Sequence, residues 1–250
     1  MAGRDVSILF PTGGVASLCF RLPAMLREHS IMLVVCPLTS LMIEQCADLN
    51  SRGGRAMCLH SAQSSAANLV VLGHLRACGP AGPRPTLDIV YMTAEGVRDG
   101  RVLDALARLV AQLLRSLIAV DKAHCISTWR FDFRPAYRGL GELRQRLFWD
   151  AAATAAPVPM MALSAIASLV VRADILQTLG LQESALVITT SFDREELFYC
   201  VRMKHGLPGY ADAFDDMTNR LRYEVRLRPG IPADRRSNGI VYCATRASRL

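Results

Sequence analysis

Two short stretches hold residues whose types and neighbours suit phosphate chemistry. Pro11-Thr12-Gly13-Gly14 follows an apolar run and leads through Val15-Ala16 to Ser17-Leu18-Cys19-Phe20, where a helical pattern begins. A glycine turn opening a helix points backbone N–H groups and the helix dipole at an anion, so Thr12, Gly13, Gly14, Ala16 and Ser17 are the candidate nucleotide contacts. The full chemistry of such a turn needs a Gly, then a Lys that reaches the β/γ-phosphates, then a Ser or Thr that holds Mg2+. Val15 and Ala16 take the first two places, and only Ser17 matches. Downstream, the apolar run Leu117–Val120 ends in Asp121-Lys122-Ala123-His124. An Asp at such a strand end holds the Mg2+ of a nucleotide, and the residue after it is normally a carboxylate that orients the attacking water. Lys122 is a cation and cannot take that role.

These stretches need a scaffold that delivers strand ends to one edge. Short apolar runs rich in branched residues recur at 6–10, 31–36, 56–59, 89–92, 117–120, 160–163 and 186–188. Helical patterns lie between them at 17–29, 39–52, 66–77, 102–114, 136–148 and 168–179. Strands alternating with helices of this length predict an α/β fold, a mostly parallel sheet with helices on both faces, whose ligands bind beyond the carboxyl ends of the strands. Residues 79–85 read as a Pro/Gly-rich surface insertion. After a break at 191–196 the pattern restarts, so residues 1–192 are expected to form one lobe and 193–250 the incomplete start of a second.

Composition narrows the class. With 250 residues, 51% hydrophobic and 20% charged, the chain has enough apolar content for a sizeable core and is not disordered. The uncharged stretch 151–171 is long enough to span a bilayer, but Pro157, Pro159, Ser164 and Ser168 interrupt it, and no signal-peptide core precedes it. No membrane association is expected, and the setting is intracellular. Eight scattered cysteines without a paired spacing predict free thiols in a reducing compartment and no zinc. The net charge of +7 suits a polyanion, and residues 201–250 concentrate it, with ten Lys or Arg against five acids.

The order of motifs resembles the RecQ-type ATP-dependent DNA helicases along essentially the whole chain. The matching pieces are Pro11-Thr12-Gly13-Gly14 with Ser17-Leu18-Cys19; Val35-Cys36-Pro37-Leu38-Thr39-Ser40-Leu41-Met42 with Gln45; Tyr91-Met92-Thr93-Ala94-Glu95; Val120 through Trp129; Asp132-Phe133-Arg134-Pro135-Ala136-Tyr137; Leu140-Gly141-Glu142-Leu143-Arg144; Met161-Ala162-Leu163-Ser164-Ala165; Ser191-Phe192-Asp193-Arg194; and Gly239-Ile240-Val241-Tyr242-Cys243. The most specific is the run from Ala123 to Tyr137, where an aromatic-rich loop directly follows the Asp-x-Ala-His box.

That resemblance implies a RecA-like first lobe, Mg-ATP as cofactor, and 3′–5′ translocation on single-stranded or forked DNA in repair and recombination, in the nucleus if the cell is eukaryotic. By residue, it implies Ser17 and Asp121 as Mg2+ ligands and His124 as the link from the nucleotide to Ser164-Ala165. Trp129, Phe133 and Arg134 would sense DNA, and Pro37, Ser40, Thr93 and Glu95 would border its track. Stacked aromatics bind bases without regard to sequence, although Trp129 and Phe133 also fit a core role. The departures from the family pattern fall on the chemistry: Val15 for Gly, Ala16 for Lys, Lys122 for Glu, Arg130-Phe131 for Gly-His, and Ile166 for Thr. The family's upstream Gln segment and its later arginine finger have no counterpart in these 250 residues. The expectation is an ATPase-deficient helicase core. The alternative is an inactive relative that keeps only a capacity to bind DNA or a protein, its protein partners unknown.

Overall fold

The structure is a computed structural model that describes residues 4–11, 16–27, 30–77, 85–111, 117–127, 135–143, 158–165, 168–192 and Asn219. The chain divides into two compact units, Met1–Asp193 and Arg194–Leu250. The expected start of a second lobe, with its basic tail, lies outside the described residues.

The first unit is built on seven parallel strands: β1 (Val6–Leu9), β2 (Met32–Cys36), β3 (Ala56–Leu59), β4 (Ile89–Thr93), β5 (Leu117–Val120), β6 (Met160–Ser164) and β7 (Leu186–Thr189), in the order β3-β4-β2-β5-β6-β1-β7. Five of the strands (β1, β2, β4, β5, β6) are buried almost without break, as sheets covered on both faces require. β7 closes the β1 edge in register, Val6 opposite Leu186 and Ile8 opposite Ile188, and stays largely exposed. All seven fall on the apolar runs read from the sequence.

The helices are α1 (Leu18–Leu26), α2 (Thr39–Ser51), α3 (Ser65–Ala77), α4 (Gly100–Ala111), the single turn α5 (Pro135–Arg138) and α6 (Leu169–Thr178). Strand side chains alternate between two cores. Val6, Ile8, Val34, Cys36, Ile89, Tyr91 and Ala119 pack under α1 and α2, through Phe20, Ala24, Met42, Cys46 and Leu49. Leu33, Val35, Val90, Met92, Ile118 and Val120 pack under α3, α4 and α6, through Leu72, Leu75, Leu106, Leu109 and Ile175. Two expected boundaries move. α1 stops at Leu26, and Arg27 turns extended, with φ −99° and ψ 114°. The helix expected at 136–148 is interrupted by a single turn residue, Gly139, and resumes over 140–143, the last of its described residues; a Cβ at Gly139 would meet the Arg98 guanidinium and one at Gly141 the Thr178 carbonyl. Residues 79–84 of the expected surface loop lie outside the described residues, while Pro85, its last member, is buried.

At the amino end of the sheet, Asp5 is fully buried and its carboxylate accepts from the backbone N–H groups of Met160 (2.9 Å) and Gln182 (2.7 Å). One carboxylate thus ties β1 to β6 and to the approach to β7, which fixes the register that brings the strand ends together. No helix among the described residues is long and apolar enough to cross a membrane.

Candidate nucleotide and nucleic-acid site

The topology brings β1, β5 and β6 side by side, so their carboxyl ends share one edge: Val120 pairs with Ala162, and Leu9 with Ser164. α1 leaves this edge for β2, while α6 leaves it for β7 on the other side, the kind of divergence beside which parallel sheets bind their ligands.

Asp121 is the anchor, only 7% exposed. Its N–H donates to the Val35 carbonyl at 2.9 Å, extending the β2–β5 ladder by one residue. Oδ1 accepts from the backbone N–H of Lys122 at 2.8 Å, and Oδ2 from the Gln45 amide Nε2 at 3.0 Å. The Tyr137 hydroxyl donates to its carbonyl at 3.2 Å. Lys122 sits at φ 53° and ψ 42°, the one non-glycine residue in the left-handed region among the described residues. A lysine is disfavoured there, and the ladder before it and the 3-10 turn Ala123–Ile126 after it impose the conformation. His124 Nδ1 lies 3.3 Å from Ser164 Oγ at the end of β6, and Ser127 donates to Asp174 of α6 at 2.9 Å.

Gln45 belongs to a relay buried under α1 and α2. Arg21, 8% exposed, donates from Nη1 to Asp48 Oδ2 at 2.5 Å and from Nη2 to the Gln45 carbonyl at 3.1 Å. Arg21 Nε, Gln45 Oε1 and Tyr91 Oη are buried without hydrogen-bond partners. Burial pushes the Tyr91 and Cys36 groups well above their ordinary values, and Asp121 adds to the effect on Cys36. Burial likewise raises Tyr137. The relay links the first turns of α1, just behind the phosphate turn, to the carboxylate at the end of β5.

Ala16 and Ser17 are half-buried at the head of α1, and the Ser17 carbonyl accepts from Arg21 N–H at 3.0 Å while its side chain caps nothing. Thr12, Gly13, Gly14, Trp129, Phe133 and Arg134 lie outside the described residues. Pro37 is buried at the end of β2, and Leu38 and Ser40 beyond it are exposed. Thr93 ends β4, and its Oγ1 accepts from Gly96 N–H at 3.1 Å, with Glu95 exposed beside that turn. Arg21, Asp48, Tyr137 and Asp174 were not foreseen; Arg21, one turn after Ser17 in an otherwise apolar stripe, was the available signal.

A nucleotide-borne Mg2+ is held by one Asp and a Ser or Thr hydroxyl beside the phosphates, and Asp121 and Ser17 are the residues of this chain that would hold it. Asp121 Oδ1 and Oδ2 each accept one hydrogen bond, from the Lys122 N–H and from Gln45 Nε2, and the ammonium of Lys122 takes the place of the carboxylate that would orient water.

The comparisons agree with this arrangement of elements. A sequence profile of the DEAD/DEAH box helicases matches residues 1–172. The ATP-dependent DNA helicase hus2/rqh1 of Schizosaccharomyces pombe is 33% identical over 252 residues, covering 99% of this chain and 17% of that protein. The RecQ-like DNA helicase BLM of Xenopus laevis is 34% identical over 205 residues, covering 82% of this chain and 14% of its own length. The chain thus spans less than a fifth of either relative. In fold it is similar to the DEAD-box helicase Mss116 bound to single-stranded RNA and UDP-BeF, with a TM-score of 0.54 and 13% identity over 90% of this chain and 45% of that one. With its parallel sheet, its Asp-x-Ala-His box at the end of β5 and a family match across most of its length, the chain belongs to the DEAD/DEAH box helicases and resembles their RecQ-type members.

Proposed function

We propose that this chain is the first lobe, with the start of the second, of a RecQ-type 3′–5′ DNA helicase, that its partner is single-stranded or forked DNA, and that it hydrolyses ATP poorly as it stands. The observation that carries the reading is the Asp121-Lys122 turn. The carboxylate is held by Gln45 and by the Lys122 N–H, and the residue that should orient water is an ammonium. Ala16 at the head of α1 removes the cation that would reach the phosphates. Neither Lys122 nor any backbone group supplies a general base for water.

DNA binding is the activity that the remaining residues support. Leu38, Ser40 and Glu95 are exposed at the ends of β2 and β4, and Trp129, Phe133 and Arg134 bring aromatics and charge of the kind that stack on bases and meet phosphates. A second reading, an inactive relative working only as a DNA-binding module, is favoured by the intact framework: His124 still meets Ser164 and Tyr137 still holds Asp121, although the residues for hydrolysis are replaced. Both readings place the protein with DNA, in the nucleus if the cell is eukaryotic.

The test is fluorescence anisotropy with an oligo-dT strand at rising salt. Affinity that falls steeply with salt and drops on Trp129→Ala or Arg134→Ala is expected. Absence of binding at low salt contradicts a DNA partner.

A further inference from the structure

We infer that Cys46 and Cys58 form an oxidation site that hydrogen peroxide closes to a disulfide between α2 and β3. Cys46 lies on the sheet-facing side of α2 between Met42 and Leu49, and Cys58 is half-buried in β3 beneath it. Both thiols are free. Asn50 holds the two elements in register: its Oδ1 accepts from Ala56 N–H at 2.7 Å and its Nδ2 donates to the Ala56 carbonyl at 3.0 Å, two residues before Cys58. The same Nδ2 lies 3.7 Å from Cys46 Sγ. Cys58 Sγ lies 3.7 Å from the carbonyl of Met42, the residue one helical turn before Cys46, so the Cys58 sulfur rests on the turn of α2 that carries its partner.

The pair is chemically unequal. Cys46 Sγ faces the donor Nδ2 of Asn50, which favours its thiolate, whereas the Cys58 thiol donates to the Met42 carbonyl, which favours its protonated form. The thiolate is the nucleophile, so Cys46 attacks and Cys58 resolves. Burial raises the Cys19 and Cys36 thiols, which makes them poorer first attackers. In the first step the Cys46 sulfur bonds to one peroxide oxygen, the O–O bond breaks, and the departing hydroxide takes a proton to become water, leaving a sulfenic acid. In the second, the Cys58 sulfur attacks the sulfenyl sulfur, the S–S bond forms, the S–O bond breaks, and the leaving oxygen departs as water with the Cys58 proton. Two thiols lose two protons and two electrons, and one peroxide becomes two waters. The bridge fixes to the sheet the helix whose Gln45, next to Cys46, holds Asp121.

The experiment treats the full chain with hydrogen peroxide, blocks remaining thiols with N-ethylmaleimide, and maps peptides by mass spectrometry. The inference expects a linked Cys46–Cys58 peptide lighter by two hydrogens than the sum of its reduced halves. It also expects loss of alkylation at both residues and recovery of both with dithiothreitol. Cys58→Ser should leave a sulfenic acid on Cys46 that dimedone traps, and Cys36→Ser should leave the bridge intact. Full alkylation of Cys46 and Cys58 in the peroxide-treated wild-type chain, or a bridge made through Cys36, overturns the inference, and neither result depends on a variant folding.

Discussion

The two faces of the sheet are built on different principles. Under α3, α4 and α6 the packing is apolar, with Leu72, Leu75, Ala105, Leu106 and Leu109 almost fully buried. Under α1 and α2 a polar relay runs from Asp48 and Arg21 to Gln45 and on to Asp121, and two of its buried polar atoms, Arg21 Nε and Gln45 Oε1, lack hydrogen bonds. Apolar burial is non-directional and sets stability, whereas a partly satisfied polar network is directional and sets where particular atoms stand. The comparison teaches that stability comes chiefly from the α3–α4 face and site geometry from the α1–α2 face, so substitutions on the two should have separable effects.

The largest expected effect breaks the apolar face. Leu106→Ala leaves a cavity among Leu72, Leu75 and their neighbours and should cost about 2–5 kcal/mol, read by urea unfolding. The DNA affinity of the folded fraction should be unchanged, and a loss of affinity beyond that fraction would dissolve the separation of faces. On the other face, Arg21→Met keeps much of the side-chain volume but takes a donor from Asp48 Oδ2 and from the Gln45 carbonyl, leaving Asp48 with Arg52 alone. It should cost about 1–3 kcal/mol, and the backbone amide resonance of Asp121 should move with it. An unchanged Asp121 resonance would mean that the relay does not reach β5.

Gln45→Leu sharpens the comparison further. It removes the donor to Asp121 and the buried unpaired Oε1 together, so the two changes offset, and stability should move by less than about 1 kcal/mol while the Asp121 environment changes. The smallest effect concerns pH. Arg21 first, and then Arg52, hold the Asp48 carboxyl below its usual range. Its folded value is depressed, so its contribution is present above the unfolded value near roughly pH 4 and is lost as pH falls through the folded value. Asp48→Asn should lower stability slightly at neutral pH and flatten the acid limb of the stability curve, the two proteins converging at pH values below the folded value of Asp48.

The sheet was legible because each strand is a short branched run bounded by polar residues, and the alternation of Leu33, Val34 and Val35 between the two cores follows from β-strand geometry alone. The site was legible only in part. Asp121, Lys122 and His124 are contiguous, and their place at a strand end follows from the run before them. Arg21, Gln45, Asp48 and Tyr91 are brought together by the packing of α1 on α2 and of both on β4, over separations that no local pattern encodes. The left-handed turn at Lys122 was hidden because lysine carries no preference for it. The early end of α1 and the interruption at Gly139 were hidden for a related reason: both helical patterns continue in sequence.

The central claim, that the nucleotide site has kept its framework and lost its chemistry, is tested most directly by DNA-stimulated phosphate release, measured on this chain beside an Ala16→Lys, Lys122→Glu variant. The account predicts background release from the natural chain and a clear DNA-dependent gain in the variant. DNA-stimulated release from the natural chain equal to that of the variant would contradict it.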